Sequence, residues 1–245
     1  MNAKSFIQFT AAICTVMLFS SCIINGEGIT PSKNYITRNY KVTDFSGIEV
    51  NTVGSVYYTQ SADGKTSVEI YGPDNIVELI EVSIKDNTLV LSTAKKNKIK
   101  NVKNMKIKIT TPQLYNLSFK GVGKVYIEEG LETTNFKIHQ GGVGDVVIHS
   151  LVCDEVTINS TGVGNSRLDG NVNTAYLSVQ GVGNIEAKDL KAQAVEVSSS
   201  GVGNITCFAT ESFTAAVGGI GSIKYAGSPK QKQIKKNGIG SIKEY

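Results

Sequence analysis

Tryptophan is absent from these 245 residues, proline occurs only four times, and histidine and arginine occur twice each. With 25 glycines and ten tyrosines beside so few prolines, the composition favours strands and turns over a helix bundle. His139 and His149 lie three residues before and seven after Gly142, on separate predicted strands, so no HxH or HExxH spacing exists for a metal. No sign of charge dominates either: 25 basic residues face 21 acidic ones, which gives no electrostatic reason to expect nucleic acid as a partner. The Lys-rich stretch 94–108 reads as a solvated strand face and loop, with attraction of anionic glycans or lipid headgroups as the alternative.

Long apolar runs are also missing, except at the start. MNAKSFIQFTAAICTVMLFSSC places Lys4 before an apolar run from Phe6 to Phe19, then two serines and Cys22. That order is a signal peptide, with a run shorter than the ~20 residues a membrane span needs. Cys22 directly after small residues resembles the lipobox of bacterial lipoproteins, although Phe19 stands where Leu is usual. The expectation is a leader at 1–21, a lipidated Cys22 opening a flexible tether at 22–41, and a domain at 42–245; ordinary secretion is the alternative. Of the remaining cysteines, Cys153 and Cys207 fall at different places in the repeat described next and read as two packed free thiols.

What the chain has in abundance is one corner. GVGKV begins at Gly121, GVGDV at Gly142, GVGNS at Gly162, GVGNI at Gly181 and Gly201, and GIGSI at Gly219 and Gly238. The steps between first glycines are 21, 20, 19, 20, 18 and 19 residues, and TVGSV at 52–56 is a degenerate further copy. On both sides of each corner apolar residues alternate: Leu177 and Val179 precede Gly181, and Ile185 and Ala187 follow it. Alternation interrupted by a glycine corner means strand, bend, strand. A unit of this length cannot close a core alone, but stacked on its neighbours in parallel, ~4.8 Å apart, it can. The fold class is therefore all-β, a right-handed parallel β-helix of about 20 residues per coil, with a regular part of roughly 30–35 Å.

Each corner residue has a predicted task. Gly181 and Gly183 permit an approach between rungs that a Cβ would obstruct. Val122, Val143, Val163, Val182, Val202, Ile220 and Ile239 are expected as one inward column. Asn165, Asn184 and Asn204 form an amide row that stacks on itself, with a ligand-binding face along the same row as the sharper reading. Residues 42–115 are less regular and read as first coils plus a cap over the N-terminal strand edge, whereas 116–245 carry the regular corners. Asp86-Asn87 between two alternating runs is a hairpin turn signal.

The repeated corners, the DFSGIEV opening at 44–50, the closing GSIKYAGSP at 221–229 and the leader together resemble the head GIN domain family of putative autotransporter adhesins. The resemblance covers about residues 42–245. It implies a right-handed β-helix and a cell-envelope location, and it brings no site residues with it.

Other chemistry finds little support. GGVGDV at 141–146 looks like a calcium nonapeptide, but Asp145 stands one place early and the period is not nine. No helical period follows any corner, so no phosphate loop and no nucleotide or other cofactor is expected. Parallel β-helices include enzymes of acidic polysaccharides, whose sites need clustered carboxylates with Arg or Lys. The best such group is Asp169 beside Arg167, with Asp145 one rung away. Two functions result. The favoured one is a non-catalytic envelope lipoprotein of the outer membrane, an adhesin or scaffold presenting a rigid rod to a glycan or protein. The other is a polysaccharide lyase or hydrolase. A converging acid–base cluster would discriminate between them.

Overall fold

The computed structural model describes residues 28–94 and 99–245, so the predicted leader, Cys22 and the start of the tether lie outside the described residues. The chain is a β-solenoid of about six turns. Each regular coil is read off one long bent strand. In β12 (Val146–Ser160), three segments are separated by a bend at His149-Ser150, where Ser150 has φ +52°, and by a corner at Asp154. The Gly-Val-Gly corner closes the triangle. β13 (Ser166–Val179), β14 (Ile185–Ser199) and β15 (Ile205–Val217) stack on β12 in parallel, with Ile158 on Leu177, Leu177 on Val197 and Val197 on Ala215. All the alternating positions expected to be inward on the two sides of the corners are buried. Cys153 and Cys207 are free and buried.

The column of corner valines points the other way. Val122, Val143, Val163, Val182 and Val202 bridge to one another in sequence and onward to Ile220, as expected for a stack, yet they are 46–54% exposed and Ile220 is 55% exposed. Ile239, in the last coil, is 79% exposed. The reason lies in the alternation itself. Residues 177, 179 and 185 face inward, and counting by twos through the bend puts Gly181 and Gly183 on the inward parity and Val182 outside. The glycines are needed because coils touch there: a Cβ on Gly181 would stand 2.1 Å from the carbonyl oxygen of Gly162, and one on Gly183, at φ +153°, would stand 1.7 Å from that of Gly164. The stacked valines form an outer ridge, each half covered by its neighbours.

The first coil is β2 (Gly47–Asn51) and β3 (Ser55–Gln60), joined by the degenerate corner, whose Val53 bridges to Val122. The next coil in sequence does not lie on top of it. β6 (Thr88–Thr93) and β7 (Lys106–Thr111) pair with β2 and β3 from below, and β8 (Asn116–Phe119) and β9 (Val125–Ile127) pair with them from above. Below that layer, β5 (Ile80–Lys85) runs antiparallel to β6 through the Asp86-Asn87 turn, both residues having positive φ as such a turn requires. β4 (Ser67–Pro73) runs antiparallel to β7, and β1 (Tyr35–Tyr40) runs antiparallel to β4. Residues 35–40, read from the sequence as tether, are thus a strand of the cap. Their polar, exposed side chains hid the pairing, which rests on backbone hydrogen bonds to β4. α1 (Asp74–Val77) is one turn that seats Ile76 and Val77 in the core. At the far end, β16 (Ile220–Ala226), β17 (Gln231–Lys236) and β18 (Ile239–Glu244) complete the stack, and β17 is exposed throughout its length. Lysines on such an open edge oppose pairing with another chain.

Candidate functional site

Asn165, Asn184 and Asn204 do meet in one row. Oδ1 of Asn165 accepts both the backbone N–H (3.1 Å) and Nδ2 (2.9 Å) of Asn184. Oδ1 of Asn184 accepts the same two groups of Asn204 at 2.9 and 3.2 Å, and Oδ1 of Asn204 accepts the N–H of Ser222 at 3.0 Å. At the foot, Asp145 accepts the N–H of Asn165 at 3.1 Å and pairs with Lys124 at 3.0 Å. Each carbonyl oxygen is committed to the next rung, so the row acts as a clasp for the corner.

The acid–base group considered from sequence is dispersed. Arg167 binds Glu186 of the following rung, with Nε 2.9 Å from the carboxylate. Asp169 instead meets His149 of the preceding rung and accepts the N–H of Ser150 at 2.7 Å, holding that positive-φ bend in place. Burial raises the Asp169 carboxyl, but these two donors outweigh it and leave its pKa lowered. The 20-residue interval from His149 to Asp169 is one coil, a signal in the sequence that went unused. Among the described residues, no three of His, Cys, Asp and Glu gather as a metal site.

A larger feature lies at the Asp154 corner. A groove of about 1230 Å³ runs along the solenoid there. Its floor is the short second segment of successive coils: β10 (Leu131–Glu132), then 151–153 of β12, stacked in register with Gly170–Val172 of β13 and continued by Lys191 and Ala192 of β14. Outward side chains on that floor are Glu132, Val152, Asn171 and Lys191, and Lys191 Nζ sits 3.8 Å from the centre of the Phe208 ring. One wall is a second row, Thr134, Asp154, Asn173 and Gln193, each eight residues before the first glycine of the next corner. Asn173 donates to Asp154 at 2.9 Å, and Gln193 donates to Asn173 at 3.2 Å. The N-terminal end is closed by Gln60–Ala62 and by Pro112, Gln113 and Tyr115. Gln60 pins that wall, donating to the carbonyls of Pro112 (3.0 Å) and Glu132 (2.9 Å) and accepting the Glu132 N–H at 2.9 Å. Its side chain takes the place of the missing strand below β10. The regular spacing of the wall residues was legible in the sequence; their gathering into a concave face was not.

The residues weighed from the sequence as an acid–base group thus lie in separate ion pairs, and the groove at the Asp154 corner is lined by polar and apolar groups together. Residues 44–229 match the family described as "Putative auto-transporter adhesin, head GIN domain", and the chain belongs to that family. A putative adhesin of Bacteroides fragilis is 58% identical, with a TM-score of 0.87 over 89% of this chain and all of its own. The fold is shared with a putative lipid binding protein of Parabacteroides distasonis (23% identity, TM-score 0.71) and a putative adhesin of the same species (20%, 0.66), each matched over 89% of this chain and 100% of its own. No curated protein matches the chain.

Proposed function

We propose that this chain is a non-catalytic binding rod of the cell envelope, held to the outer membrane by lipid on Cys22 and engaging its partner through the groove. The observation that carries the reading is a groove that presents one polar side chain per coil along its wall, Thr134, Asp154, Asn173 and Gln193, which suits recognition of an extended partner. The relationship to an adhesin family supports envelope association. The enzyme reading draws on three carboxylates in the groove, Glu129, Glu132 and Asp154. Against it, Asp154 is engaged by Asn173, and Lys191, the one cation lining the groove among the described residues, is held over Phe208. The test is to incubate the protein with envelope polysaccharides and uronate polymers. Retention on envelope material without new reducing or unsaturated ends agrees with the proposal, and release of ends that is lost in Glu132→Gln overturns it. Cys22→Ser should move the protein from the membrane fraction to the soluble one; unchanged membrane association would refute the anchor.

A further inference from the structure

We propose that the groove is a site for an extended, uncharged glycan, with successive sugars lying along successive coils; this rests on the reading of the chain as a non-catalytic binder. Three observations select that ligand class. The first is periodicity. Coils repeat at ~4.8 Å, close to the rise of one sugar ring in an extended pyranose chain, so successive sugars can each lie over one coil, whose outward side chain differs from rung to rung. The groove spans five rungs, represented by Glu132, Val152, Asn171, Lys191 and Thr210.

The second observation is the lining chemistry. Asn171, Asn173, Gln193, Thr134 and Thr210 each donate and accept, as sugar hydroxyls do. Oδ1 of Asn173 is occupied by Gln193, whereas Oε1 of Gln193 receives no donor from the described residues and is free for a ligand hydroxyl. A peptide that binds by strand addition would need an open strand edge. The interior floor segments are paired on both sides, and the free edge of β10 is covered by the Gln60 side chain.

The third is charge. Among the described residues, Glu129, Glu132 and Asp154 against Lys191 give three negative groups and one positive, a net of −2. Such a cleft repels uronate chains, sulfated glycans and phosphate headgroups. The wall at Gln60–Ala62 and Tyr115 closes one end, so the glycan extends toward the Thr210 end.

The experiment is calorimetric titration of the full chain carrying Cys22→Ser with an N-acetylglucosamine hexamer, a cellohexaose and an oligogalacturonate. The expected result is saturable binding of at least one neutral hexamer, weakened about tenfold or more for its disaccharide and by the double change Asn173→Ala, Gln193→Ala. Asn184→Ala, in the other corner row, should bind as the parent does, and circular dichroism should be alike in all three proteins. Absence of binding to both neutral hexamers, equal weakening by Asn184→Ala, or tighter binding of oligogalacturonate would overturn the proposal. New reducing ends released by the parent and not by the double variant would overturn the non-catalytic reading while supporting the site.

Discussion

Asn184 gives two hydrogen bonds to a single atom, Oδ1 of Asn165, one from its backbone N–H and one from its side-chain amide. The arrangement recurs with Asn204 above, so each asparagine both caps the rung beneath it and is capped by the next. Because the row is solvent-exposed, water replaces much of what is lost when a member is removed. Asn184→Ala is expected to cost about 1 kcal/mol and to lower the melting temperature by roughly 2–4 °C. Thermal unfolding followed by circular dichroism checks this, and a loss several times larger would mean that the row does more than clasp the corner.

Gly183, one residue earlier, should behave quite differently. Its Cβ would fall 1.7 Å from the Gly164 carbonyl oxygen, at a φ that side chains rarely adopt. No flexible side chain can yield there, only backbone, so Gly183→Ala must separate two coils. A cost of about 2–4 kcal/mol is expected. Val182→Ala, next to it on the outer ridge, should cost under about 1.5 kcal/mol because the side chain is already half exposed. Equal losses for the two variants would contradict the assignment of Val182 to the outside.

Two buried polar groups give predictions of opposite sign. Gln140 is fully buried and accepts hydrogen bonds from Ser160 (2.9 Å) and Ser166 (3.1 Å), both buried as well. Gln140→Ala strands both hydroxyls and leaves a cavity, a loss of about 2–4 kcal/mol. Ser199, equivalent by stacking to Val179 and Val217, has a buried hydroxyl with no partner among the described residues. Ser199→Ala should leave stability unchanged or raise it by up to about 1 kcal/mol. Chemical denaturation midpoints at unchanged slope measure both.

Acid should weaken the solenoid. At Asp145, burial raises the carboxyl, but the Asn165 N–H and Lys124 outweigh it, and Asp169 is lowered in the same manner. A carboxylate whose folded pKa is below its unfolded value stabilises the fold at higher pH and loses that contribution as pH falls through the folded value. The ordinary aspartate value is 3.8. The melting temperature is therefore expected to be flat from neutral pH to about pH 5 and to fall below about pH 4, with a shallower fall in Asp169→Asn. A melting temperature that rises on acidification would contradict this.

The two thiols should be inert until the chain unfolds. Burial pushes the Cys207 thiol up to about 12, and burial with the neighbouring Asp154 and Glu155 does the same to Cys153. Little thiolate exists at pH 8, so neither should react with iodoacetamide in the native state, and both should react in denaturant. Rapid native labelling of Cys153, which lines the groove, would show that the groove floor opens.

Much of the architecture is legible in one dimension because a solenoid's contacts recur at a fixed interval. The 18–21-residue steps between glycine corners place Ile158 under Leu177 and Leu177 under Val197, and alternation marks these as core. Asp86-Asn87 announces its hairpin through residues that tolerate positive φ. Three things needed the third dimension. Whether a corner residue faces in or out depends on how parity is carried through the bend, and Val182 faces out because its flanking glycines fill the space where coils touch. The order of stacking at the N-terminal end is not the order of the chain: β6 and β7 slide beneath the first coil while β8 and β9 cover it, a choice made by long-range strand pairing that leaves no local mark. The groove arises because Gln60, distant in sequence, closes the end of the stack above which Asp154, Asn173 and Gln193 line up. Periodicity in the sequence determined the coil and its core, whereas concavity, a relation between coils and cap, existed only once the chain had folded.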